Sequence, residues 1–117
     1  MLRLSDRLIA VLLALGALGH ALGSFKVYAP GTSVRVWSLA GAFAAFLLAA
    51  LNWLRAGRPQ DAALAWICVA GCVAWAAIAL AFGASVGSMA DPRAVYHAAV
   101  AVVLAAFSLR TALGRAG

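Results

Sequence analysis

LIAVLLALGALGHALGSF, residues Leu8 to Phe25, is an uninterrupted apolar run whose single ionisable side chain is His20. Arg7 and Lys26 bracket it, ~28 Å apart along a helix axis at about 1.5 Å per residue, which matches the hydrocarbon thickness of a bilayer. Ser5 and Asp6 suit a helix cap and first turn, so the first helix is expected over residues 5–25. A secretory signal is the competing reading, with Arg3 and Arg7 ahead of the run and Ala21-Leu22-Gly23 as a cleavage site. Asp6, the length of the run and three further runs of the same kind favour a span.

Those three follow at short intervals. Pro30-Gly31 marks a turn, and the second helix is expected over 34–54, with Trp37 and Trp53 near its ends as interfacial tryptophans are placed. A basic turn, Ala56 to Gln60, leads to Asp61 and a third helix over 62–82 with no charged residue. A small polar loop ends in Asp91-Pro92, a cap followed by proline at the first helical position, and the fourth helix is expected over 92–110, stopping at Arg110.

Composition agrees with this reading. The chain has 117 residues, 67% of them hydrophobic and 10% charged, and a mean hydropathy of +1.03. So few charges cannot cover a soluble domain of this length. The expected fold class is an all-α integral membrane protein, an up-down four-transmembrane-helix bundle forming a single membrane domain over 1–117. Its first partner is the lipid bilayer.

The net charge of +6 sets orientation rather than a nucleic-acid partner, because no basic cluster is interleaved with aromatics. Arg3, Arg7, Arg55, Arg58, Arg110 and Arg115 fall on one side of the expected bundle, and Lys26, Arg35 and Arg93 on the other. The imbalance predicts a multi-pass protein of a bacterial-type inner (plasma) membrane with N and C termini in the cytoplasm. Cys68 and Cys72 lie four apart inside the third run and read as small apolar packers, saying nothing about compartment.

In lipid, helices approach through small residues. The expected packing positions are Gly16, Gly19 and Gly23 on the first helix, with Gly19 and Gly23 spaced as GxxxG, and Gly41, Ala45, Ala49 and Asn52 on the second. On the third, the expected stripe is Ala63, Ala70, Ala74, Ala77 and Ala81. Packing within one bundle is favoured over a dedicated homo-oligomer face or a membrane partner protein.

The candidate site is built on the two histidines. His20 and His97 lie ~9 Å inside the same, non-cytoplasmic face. Ser24 and Tyr96 stand beside them, and Lys26, Arg35 and Arg93 ring that face. An ionisable residue inside a span is a functional candidate by default. Three readings compete: helix-tying hydrogen bonds, a small-ligand pocket with the three cations drawing an anion, and bis-histidine ligation of haem b for electron transfer. No cofactor is expected outside that last alternative.

Catalysis finds little support. Two histidines and the capping Asp91 fall short of a zinc site, and neither cysteine has a base within reach. A small oligomeric transporter subunit is the remaining alternative. In size and span number the chain resembles the small multidrug resistance transporters, but Leu12 to Gly19, where those carry a membrane-embedded glutamate in their first helix, is uncharged. Asp6, Asp61 and Asp91 all fall at expected helix ends. The function expected is therefore non-enzymatic binding of a small ligand or partner near the non-cytoplasmic face.

Overall fold

A computed structural model describes residues 1–115 as four α-helices joined by short turns: α1 (Leu2–Val27), α2 (Ser33–Ala56), α3 (Ala62–Ser85) and α4 (Pro92–Ala112). Residues 116 and 117 lie outside the described residues. All four helices are long and apolar enough to cross a membrane. The bundle measures 47 × 25 × 22 Å, its long axis comparable with a bilayer of about 40–45 Å including headgroups.

Local chemistry sets most of the boundaries. The Asp61 carboxylate accepts from the Leu64 amide at 2.9 Å and caps α3. Asp91 accepts from the Arg93 amide at 2.9 Å and caps α4, with Pro92 in its first turn. In the turns, Gly31 and Gly87 both take φ of 76°, a backbone conformation that glycine adopts without a side-chain penalty. One boundary departs from expectation. Ser5 and Asp6 cap nothing, because α1 already begins at Leu2 and carries Asp6 inside the helix.

α1 packs most closely on α2, and α3 on α4. α1–α4 and α2–α3 contacts close the ring, and α2 also reaches α4 across the diagonal. The molecule is thus two tight hairpins docked side by side. The buried seam of α1 is Asp6, Ala10, Leu13, Ala17 and Ser24, with half-buried His20 between the last two. Steps of four and three alternate along it, the repeat that keeps one face of a helix on its neighbour. α3 does the same through Ala65, Cys68, Cys72, Trp75, Ala79 and Gly83, and α4 through Ala94, Ala101, Leu104, Ser108 and Thr111.

The seams are made of small residues, while Leu, Val, Phe and Trp side chains such as Leu15, Leu22, Phe43, Trp66, Ile78 and Val102 point outward. That inversion suits helices in lipid, where close backbone approach replaces a hydrophobic core. Gly16, Gly41, Ala45 and Asn52 sit in or beside the seams: Ala45 and Asn52 are fully buried, and a Cβ on Gly41 would stand 3.6 Å from His20 Nε2. Gly71, not expected, admits Leu48 so closely that a Cβ would stand 2.7 Å from its Cδ1.

Two expectations about packing fail. A Cβ on Gly19 or Gly23 would meet nothing within 4 Å, so the GxxxG pair plays no part within the bundle. Its glycines stand one residue before His20 and Ser24, a rotation of ~100° away from the seam. Ala63, Ala70, Ala74, Ala77 and Ala81 of α3 are likewise exposed, because the two cysteines and Trp75 occupy the facing stripe.

Candidate functional site

Polar side chains gather in two layers, one near each end of the bundle. The layer expected from the sequence lies at the end where α1 finishes and α4 begins. His20 and His97 meet there edge to face, ring centroids 6.3 Å apart. His20 Nε2 lies 3.0 Å from the Ser38 carbonyl oxygen, which only accepts, so this nitrogen carries the proton. The Ser24 hydroxyl donates to the His20 carbonyl at 2.7 Å and lies 2.5 Å from the Ser38 hydroxyl. With Ser38 as donor in that last bond, every partner in the α1–α2 loop of bonds has a consistent role.

His97 is held as tightly. The Trp75 indole N–H donates to its Nδ1 at 3.2 Å, which fixes Nδ1 as an acceptor and the ring as neutral. Tyr96 packs on the same imidazole at 5.6 Å and donates its hydroxyl to the Leu12 carbonyl at 2.5 Å. The opposite ring edge rests on α1 at Gly16, where a Cβ would lie 2.6 Å from Tyr96 Cε1 and 3.0 Å from His97 Cε1. Glycine at this position lets α4 press its aromatic pair onto the α1 backbone.

Trp75, Tyr96 and His20 surround the His97 ring, and one nitrogen on each imidazole is committed to a protein partner. A haem would require the two rings to part around a macrocycle, and the residues present do not fit it. The three cations are also held apart from the histidines. Arg35 stacks over Phe25 at 4.7 Å, Arg93 stacks over Phe82 at 4.8 Å and pairs with Asp91 at 2.8 Å, and Lys26 is exposed. His20, Ser24, Tyr96 and His97 come together; Lys26, Arg35 and Arg93 do not join them.

The second layer was not anticipated. Arg55, expected among the charges on the side of the termini, is fully buried, and it pairs with Asp6, only 6% exposed, through a two-pronged contact of 2.5 and 2.7 Å. Its Nε and Nη2 also donate to Asn52 Oδ1 at 3.3 and 3.1 Å, and Nη1 donates to Thr111 Oγ1 at 3.3 Å. Five bonds thus occupy all five N–H groups of the guanidinium, the condition for burying such a charge. Asn52 extends the layer, accepting from the Ser108 hydroxyl at 3.0 Å and donating to the Leu48 carbonyl at 2.9 Å and Cys72 Sγ at 3.4 Å. All four helices meet in this network.

Two sequence signals point to it in hindsight. Asp6 stands on the same alternating stripe as His20 and Ser24, and Asn52 and Arg55 are three apart on one helix face. Asp6, expected at a helix end, instead lies within α1.

Unlike the histidine layer, this one opens to a cleft of about 130 Å³. Its floor is Asp6, Arg55 and Thr111, and its walls include Arg3, Ala56, Pro59, Phe107 and Arg110. Among the described residues no group of three or more His, Cys, Asp or Glu side chains could hold a metal ion. Comparison with known proteins finds no matching family model, no matching curated protein and no matching solved structure.

Proposed function

We propose that this chain is a four-span protein of a bacterial-type inner membrane, with both termini in the cytoplasm, that acts by binding a small ligand rather than by catalysis. Four apolar helices with small residues inward and large ones outward support insertion. The orientation follows from six arginines at the end bearing the termini against three cations at the other. The binding end is the cytoplasmic one, which moves the site away from the histidines.

One observation carries this choice. Each histidine has a ring nitrogen bonded to a protein partner, whereas the Asp6–Arg55 layer forms the floor of an open cleft with two further arginines on its walls. The histidines then act as ties between helices, the blandest of their three readings.

Engineered cysteines test the reading. Thr111→Cys, in the cleft floor, should react with an anionic thiosulfonate faster than with a cationic one, and only when the cytoplasmic side of a vesicle is accessible. Ser24→Cys, in the histidine layer, should stay unreactive until the protein is denatured, as should native Cys68 and Cys72. If Ser24→Cys reacts first in folded protein, the ligand end is the opposite one and this reading fails.

A further inference from the structure

We infer that the cleft takes a phosphate group, held between Arg3 and Arg110 above the Asp6–Arg55 pair; this rests on the binding end proposed above. Arg55 itself is not the ligand-holding residue. Its donors are all spent on Asp6, Asn52 and Thr111, and its charge is matched by the Asp6 carboxylate. The floor is therefore neutral and rigid.

The walls differ. Arg3 is exposed and, among the described residues, forms no ion pair; Arg110 has only a contact at the 3.5 Å limit with the Arg115 carbonyl. Two arginines thus line one small space, and among the described residues no carboxylate pairs with either.

Geometry and size choose the anion. Guanidinium forks match the oxygen pairs of phosphate, and a tetrahedral phosphate presents enough oxygens to serve two forks where a carboxylate serves one. A cleft of about 130 Å³ has room for one tetrahedral group. Both walls end with their helices, α1 at its start and α4 near its close, which in the proposed orientation is the level of cytoplasmic lipid phosphates. The same chemistry is offered by free phosphate, and the source is for experiment to decide.

The test is thermal unfolding of delipidated full-length protein in neutral detergent, with inorganic phosphate, with chloride at matched ionic strength, and with micelles containing phosphatidic acid or phosphatidylcholine. Phosphatidic acid raising the midpoint, with half-saturation about tenfold weaker in Arg3→Gln and in Arg110→Gln but unchanged in Arg58→Gln, supports a lipid phosphate. The same pattern with inorganic phosphate supports the free anion. Equal shifts with chloride, or shifts that survive in the Arg3→Gln, Arg110→Gln double variant, overturn the proposal. So does the lack of any phosphate response in protein whose Thr111→Cys still reacts, which leaves the binding end standing; an unreactive Thr111→Cys removes both.

Discussion

The two polar layers answer the same problem, tying two hairpins together where apolar contact gives little, with opposite chemistry. The histidine layer uses hydrogen bonds without an ion pair, one or two to each group, and packs aromatic rings around His97. The arginine layer uses a buried ion pair and an asparagine, and leaves space above them. A layer without an ion pair tolerates the loss of a partner, because what remains is a half-satisfied polar group. A charged layer does not, since whatever remains is an unpaired buried ion.

The sharpest way to break the comparison is Asp6→Asn. It strands the Arg55 guanidinium and should cost about 3–5 kcal/mol in reversible unfolding in mixed micelles. The double variant Asp6→Leu, Arg55→Met should regain most of that loss, as hydrophobic replacement of a whole buried pair often does. If Asp6→Asn costs no more than a neutral hydrogen bond, the pair is hydrated and the contrast disappears.

Next comes the α1–α4 contact. Gly16→Ala pushes a methyl group into Tyr96 and His97 and should cost ~1–3 kcal/mol in the same assay. Gly19→Ala and Gly23→Ala, which meet nothing, should stay within about 0.5 kcal/mol. Equal effects at all three positions would mean that the GxxxG face is occupied in solution.

Trp75→Phe removes one neutral hydrogen bond to His97 and should cost roughly 0.5–1.5 kcal/mol, well below Asp6→Asn. The smallest effect lies outside both layers. The Arg93 guanidinium, and then its backbone amide, bond the Asp91 carboxylate and hold its pKa down at about 2. A depressed folded value contributes stability above the ordinary aspartate range, and that contribution fades as pH falls through about 2. Arg93→Gln should return the titration of Asp91 toward its ordinary range, seen by NMR of the carboxyl carbon, with little change in melting at neutral pH.

The sequence makes the helical architecture plain because length, apolarity and bracketing charge are local properties. Four long apolar helices with turns at Pro30-Gly31 and ahead of Asp61 and Asp91 could be read position by position. Which face of each helix turns inward could not, for a specific reason. With alanine and leucine on every side of α3, the polar-outside pattern that orients a helix in water is missing, and the exposed alanines were as plausible a seam as Cys68 and Cys72. Spacing from the helix ends put His20 and His97 at one level, but not in contact, which depends on which faces turn inward. The Asp6–Arg55 pair was hidden because each partner sat beside a helix end, where a charge ordinarily needs no partner.

That pair has a consequence for the order in which the molecule is made. Asp6 and Arg55 both belong to the first hairpin, whereas the Arg55 bond to Thr111 and the ties of Asn52 to Cys72 and Ser108 wait for the second. The most costly group to bury can therefore be neutralised once α2 lies along α1, before the second half of the chain is made. The first hairpin can then offer α3 and α4 an ion that is already paired, leaving the bonds to Cys72, Ser108 and Thr111 to complete the layer.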